Sequence, residues 1–334
     1  MPTQRTWALA ATVLSAALFA GGCSGGANRA NTSSEPPPGG TLRLAGLAWP
    51  DWRGPVGARI GLDPGTLEPT FWELGRCCLV RTLLSYNGHP TAGGGSTLRP
   101  DLAAALPTIS RDGRTWTFRL RRGLHYAPPL QNTEIVARDF IRGIERNLTP
   151  APRKVAQIFG HFLSGTAGFY IESIQGAQAF AEGRADSISG LQAPDEHTLV
   201  VHTTGSSGDL GYRLSLPTSA PIPAKPGAPT ARLGVATGYD DGYWRFLVSS
   251  GPYMIEGSKV LDFKLPPARQ RIPVGYVPGK KIVLVRNLSA RRRASSRLGG
   301  TRCGRFRASM RRSGNVCRSW EARPSSAGRR RISS

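Results

Sequence analysis

The stretch "LRPDLAAALPTISRDGRTWTFRLRRGLHY", residues 98–126, decides how the chain is read. Thr108-Ile109-Ser110 and Thr115 to Leu120 are two short runs of strand character. Asp112-Gly113 lies between them, a dipeptide favoured in two-residue hairpin turns because glycine enters the left-handed region without steric cost. Side chains alternate across a strand, so Trp116, Phe118 and Leu120 share the face that seeks a core, and Arg119 and Arg121 share the solvent face. A hairpin with one apolar face needs something to pack on, and the next segment supplies it. "NTEIVARDFIRGIERN" (132–147) sets Val136, Phe140, Ile141 and Ile144 on one helical stripe, behind a capping Asn132 or Thr133.

Outward from this block, Thr41 to Ala45 alternates as an opening strand, and Glu68 to Ser85 carries Phe71, Leu74, Cys78 and Leu79 near a three-to-four repeat, which predicts a helix stopped by Asn87-Gly88. Downstream, Ser173 to Glu182 predicts a shorter helix and Thr198 to Val201 a strand. Pro217 to Pro229 holds five prolines and must be irregular. "WRFLVSSGPYMIEG" and "KIVLVRN" predict two further strands. Helices and strands mixed without regular alternation predict a mixed α/β (α+β) fold.

The 334 residues carry a formal charge of +23, which alone would point to a polyanionic partner. Its distribution argues otherwise. Residues 291–334 hold 14 of the 44 basic residues, all Arg, and one of the 21 acidic ones, Glu321, so +13 sits in that tail and +10 in everything before it. The tail has nine Ser, no Lys and no helix or strand period, and is expected to be disordered. Its composition is that of a GC-rich gene read out of frame, which predicts a frameshift near codon 289. Binding of polyanions or an anionic membrane surface through the tail is the alternative reading; only Phe306 and Trp320 could stack on bases, and no nucleic-acid partner is expected.

At the other end, Arg5 followed by the uncharged run Trp7 to Ala20 has the length of a signal peptide. Ala20-Gly21-Gly22-Cys23 resembles a bacterial lipobox, which implies lipidation of Cys23 and anchoring outside the cell membrane. Residues 24–40 are free of large apolar side chains and end in Pro-Pro-Pro-Gly-Gly, a tether. Cys77 and Cys78 are adjacent on the expected helix, where side chains diverge by about 100° and a bridge would be strained, so they are expected as small core residues. Cys303 and Cys317 have no His beyond His202 to complete a zinc site. His197 and His202 fall on opposite faces of one strand and cannot share a metal. No Gly-rich phosphate loop, GxSxG or HExxH is present, so neither catalysis, metal nor cofactor is expected.

In order, Cys23, Leu62-Asp63-Pro64, the 98–126 block, "TEIVARDFIRGIER" (133–146), "APDEHTLVVH" (193–202) and "SSGPYMIEG" leading to "IVLVRN" resemble the family 5 solute-binding proteins of bacterial ABC transporters, the oligopeptide and dipeptide binders. The resemblance runs from about residue 20 to about 288. It implies a periplasmic-binding-protein-like, type II, two-lobed clamp, of which only the first lobe (41–288), with an inserted subdomain at about 89–165, is present. The segments are then a signal peptide at 1–22, a tether at 23–40, the lobe at 41–288 and the tail at 289–334. It further implies an extracytoplasmic lipoprotein that hands peptides or similar solutes to permease subunits, impaired in binding because the opposing lobe is missing. Trp49 and Asp51, just after the opening strand, and Tyr253, in the Gly-Pro-Tyr turn, are the candidate ligand contacts. Packing of Trp49 and Tyr253 in the core is the competing expectation for those aromatics.

Overall fold

A computed structural model of the chain describes Pro64, residues 74–149, 167–236, 247–265, 269–277 and 281–290, and the backbone of the strand at 306–309. Cys23, Trp49, Asp51, the opening strand and the Arg tail apart from that strand lie outside the described residues.

Short strands β1 (Leu84–Ser85) and β2 (Arg99–Pro100) pair antiparallel and bring Arg81 onto Asp101 in an ion pair. The hairpin follows. Strands β3 (Thr108–Ile109) and β4 (Thr115–Arg119) pair with Thr108 opposite Thr117 and Ile109 opposite Trp116. The strands splay before Asp112-Gly113, so the connection spans the four residues Arg111 to Arg114 and is longer than the two-residue turn expected. Asp112 explains this: its carboxylate accepts from Ser110 Oγ at 2.5 Å and from the Arg114 amide at 3.1 Å, closing the loop on itself. The face pattern is as expected, with Trp116, Phe118 and Leu120 buried and Arg119 exposed.

Strands β5 (Leu191–Asp195) and β6 (Thr198–His202) complete a four-stranded antiparallel sheet of order β3-β4-β6-β5, Phe118 standing opposite Leu199. The hairpin inside 89–165 therefore shares its sheet with residues beyond that span. Against this sheet packs α1 (Ala137–Asn147), whose Phe140, Ile141 and Ile144 join Trp116, Phe118, Leu199 and Val201 in the larger hydrophobic core. The helix, with Val136 as its N-cap, begins three to four residues later than a capping Asn132 or Thr133 predicts. Residues 133–135 instead lie along 124–126: the Tyr126 amide donates to Thr133 O and the Ile135 amide to Leu124 O. The cap comes from inside the helix, where Asp139 Oδ2 reaches back to the Val136 amide at 3.1 Å.

A second sheet gathers β7 (Tyr253–Ile255), β8 (Tyr276–Val277), β9 (Lys281–Arg286) and β10 (Phe306–Ser309). Strand β9 is central: β7 and β8 pair with successive parts of it, and β10 pairs antiparallel along its other edge, Phe306 opposite Leu284. The tail expected to be disordered thus carries one strand, because β9 presents a row of unpaired backbone groups that a passing segment can satisfy whatever its side chains. A second core lies here, of Leu74, Cys78, Leu79, Val80, Tyr253, Ile255, Ile282 and Leu284 among others.

Several expectations need correction. The helix expected to run to Ser85 ends in a π turn at Gly75–Leu79, Val80 being extended. Cys77 and Cys78 are joined by a disulfide. The 100° divergence that argued against the bond belongs to α geometry, and a π turn replaces it. Ahead of the hairpin, the amides of Asp101, Leu102 and Ala103 donate to the Leu83 and Thr82 carbonyls. Of the helix expected over 173–182 only Ala177–Ala181 is helical, with Gly176 at φ +75° as its N-cap, and a separate short helix, Ala167–Ile171, precedes it. Of "WRFLVSSGPYMIEG", only Tyr253–Ile255 is strand; Trp244 to Phe246 lie outside the described residues.

Candidate functional site

A concavity among the described residues opens where the two sheets' loops meet. It is a cleft of about 590 Å³ lined by Pro128, Pro129, Gln131, Met254, Gly257, Ser258 and Lys259. One wall is the proline-rich loop between β4 and α1, and the other is β7 with the turn that follows it. A backbone bond joins the walls, the Ala127 amide donating to Ser249 O at 2.8 Å.

Strand alternation explains which side chains reach the cleft. Tyr253 and Ile255 point into the second core, so Met254 between them faces outward and becomes part of the wall. Gly257 turns the chain at φ +83°, where a β-carbon would also press on Val274, so the position needs glycine. Two polar groups stand beyond it. Lys259 is exposed, and Ser258 is buried with no hydrogen-bond partner for its Oγ among the described residues. The lining is therefore apolar at Pro128, Pro129 and Met254 and cationic at one rim, with no carboxylate, an arrangement suited to a ligand that carries apolar groups and negative or carbonyl oxygens.

Tyr253, expected from the sequence as a candidate contact, is 8% exposed and packs among Leu74, Cys78 and Leu79. The competing expectation, a core aromatic, describes where the structure places it. Met254, Ser258 and Lys259 had no sequence signal beyond the alternation of "YMI", and Pro128-Pro129 reads in sequence only as a boundary.

Away from the cleft, a His–Glu pair ties two loops together. His197 Nε2 lies 3.0 Å from Glu134 Oε1, and Glu134 also accepts from the Gly123 amide. Burial pushes Glu134 up, but the Gly123 amide and His197 outweigh it and hold the carboxyl below its ordinary value. Among the described residues no group of three or more His, Cys, Asp or Glu could hold a metal.

With this geometry, comparison with known proteins is decisive. Residues 97–289, more than half of the chain, match the bacterial extracellular solute-binding proteins, family 5 middle. The chain belongs to that family. Among solved structures, the clavulanic acid biosynthesis oligopeptide binding protein 2 superposes with a TM-score of 0.54 at 25% identity, over 81% of this chain and 40% of its own. Listeria monocytogenes OppA bound to peptide superposes with a TM-score of 0.51 at 15% identity, over 81% of this chain and 42% of its own. Haemophilus influenzae OppA in complex with RPPGFSPFR gives 0.50 at 18% identity, over 74% and 39%. Comparison with curated proteins finds no match. The family 5 chain thus spans about 40% of the length of the solved structures it matches, and its mixed α/β fold is that of a single lobe of a type II periplasmic binding protein.

Proposed function

We propose that this family 5 protein is an exported lipoprotein, anchored through Cys23, whose folded lobe takes part in capturing peptides or similar solutes for permease subunits of an ABC importer. The observation that carries the reading is the family match across 97–289, joined to a fold shared with an oligopeptide binding protein at 25% identity. The cleft between Pro128-Pro129 and Met254 is the surface this lobe offers. Its apolar wall would seat side chains and Lys259 would face peptide oxygens, through contacts tolerant of sequence. Trp49 and Asp51 are proposed to add contacts from the segment after the opening strand.

In a two-lobed clamp, closure is driven by ligand contacts that both lobes make together. One wall alone forfeits that term, so the chain by itself should hold peptide at roughly millimolar Kd, worth about −4 kcal/mol. Titrating the full chain with RPPGFSPFR by NMR tests this. Saturable shifts at Met254 and Ser258 support peptide capture, and no shift at millimolar peptide overturns it. Incorporation of labelled palmitate that is lost in Cys23→Ser tests the anchor.

A further inference from the structure

The Cys77–Cys78 disulfide lies at the underside of the segment that carries the cleft wall. Cys77 is exposed, whereas Cys78 is buried with Leu74, Leu79, Val80 and Ile255. The bond closes within a π turn of five residues, held as a turn by the Val80 amide donating to Gly75 O at 2.9 Å. Such turns are rare and occur mostly as single turns, and here the linked side chains of the third and fourth residues fasten one.

What the turn presents is the carbonyl of Leu79. It accepts from the Gly251 amide at 3.0 Å and from Ser249 Oγ at 2.6 Å, while the Arg81 amide donates to Ser250 Oγ at 3.0 Å. The backbones approach so closely that a β-carbon on Gly251 would collide with the carbonyl of Cys78. Residues 249–251 lead directly into β7, and Ser249 O is also the acceptor for Ala127 beside the cleft. The disulfide, the Leu79 carbonyl, Ser249 to Gly251 and the cleft wall therefore form one continuous set of contacts.

We propose that Cys77–Cys78 is a thiol–disulfide exchange site whose redox state sets the order of the Ser249–Tyr253 segment. The reductant is a dithiol. One of its thiolates attacks the exposed Cys77 Sγ, the S–S bond breaks, and Cys78 leaves as a thiolate that takes a proton. The reductant's second thiol then attacks the mixed disulfide, releasing Cys77 as a thiolate that is protonated from solvent, and the dithiol departs oxidised, having given two electrons. Cys78, now a neutral thiol, remains compatible with its apolar neighbours. Freed of the link, the π turn relaxes towards α geometry, the Leu79 carbonyl turns, and the Gly251 amide loses its acceptor.

The test uses the full chain with and without reduced dithiothreitol under native conditions. Alkylation with iodoacetamide and peptide mapping report the state of Cys77 and Cys78. Hydrogen exchange reports the Gly251 amide, with β6 (Thr198–His202) as internal control. We expect alkylation at both cysteines and at least tenfold faster exchange at Gly251, β6 being unchanged. Cys77→Ala should show the faster exchange without reductant and no further change with it. The proposal is overturned if the pair resists dithiothreitol, if it is reduced while Gly251 exchange stays the same, or if β6 loosens equally, which would make the bond a global staple. The dithiothreitol arm decides the matter even if the variant does not fold.

Discussion

The phenol of Tyr126 donates to Asp139 Oδ2 across 2.8 Å, and both side chains are buried. The same carboxylate caps α1 at Val136 and pairs with Arg142. Burial still outweighs these contacts and pushes Asp139 up to about 6, from 3.8. Because the folded pKa lies above the unfolded one, the folded state holds its proton longer. Stability from this group is therefore greatest below about pH 4, falls as pH rises through the interval, and levels off above pH 6. Relative to Asp139→Asn, the native chain should lose on the order of 2 kcal/mol of unfolding free energy between pH 4 and pH 7, at 1.36 kcal/mol per pKa unit. Urea denaturation of both proteins at the two pH values measures it; parallel pH profiles would refute the assignment.

Gly143 sits mid-helix, where replacing glycine by alanine ordinarily stabilises by roughly 0.5–1 kcal/mol. Here the opposite is expected. A β-carbon at Gly143 would collide with the carbonyl oxygen of Ala220, a backbone atom that cannot swing aside. Forced separation of α1 from the Pro217–Ser219 turn should cost about 1–3 kcal/mol, the range for overpacking, and reverse the usual sign. A thermal melt of Gly143→Ala decides between the two effects.

The alternation in "TWTFRL" predicts a sharp asymmetry within the hairpin. Phe118 is fully buried against α1, and Ile109 on the facing strand is 45% exposed. Phe118→Ala should cost about 3–5 kcal/mol, whereas Ile109→Ala should stay within about 0.5 kcal/mol. Chemical denaturation of the two variants checks the facing directly, and equal losses would mean the face is misassigned.

These cases also mark what sequence could and could not convey. Burial of Trp116, Phe118, Phe140 and Ile144 was legible because strand and helix periods are local properties. The start of α1 was not, because it depends on 133–135 being claimed by 124–126, a pairing that no capping rule at Asn132 or Thr133 can register. The Cys77–Cys78 bond was missed for a related reason: it lies in a π turn whose Leu79 carbonyl meets Ser249 and Gly251, the former 170 residues on, and no local helix period registers such contacts. Tyr253 drew attention as an isolated aromatic, while the cleft beside it is assembled from residues 128–131 and 254–259, whose proximity is a product of the fold.

That division on β7 yields the sharpest test of the cleft. Met254 lines it, and its neighbour Ile255 is buried on the opposite face at 2% exposure. Ile255→Ala removes core volume and should cost about 2–5 kcal/mol of stability, with the cleft surface left intact. Met254→Ala removes apolar wall and should cost less than about 1 kcal/mol of stability while weakening peptide several-fold, since burying a methionine side chain against a ligand is worth up to roughly 1.5–3 kcal/mol. Lys259→Gln should leave the melting temperature unchanged, its side chain being exposed, and make peptide binding less sensitive to salt than in the native chain. Isothermal titration at two ionic strengths, beside thermal melts, separates the three variants. If Ile255→Ala weakens peptide more than Met254→Ala at matched folded fraction, the ligand does not sit in this cleft.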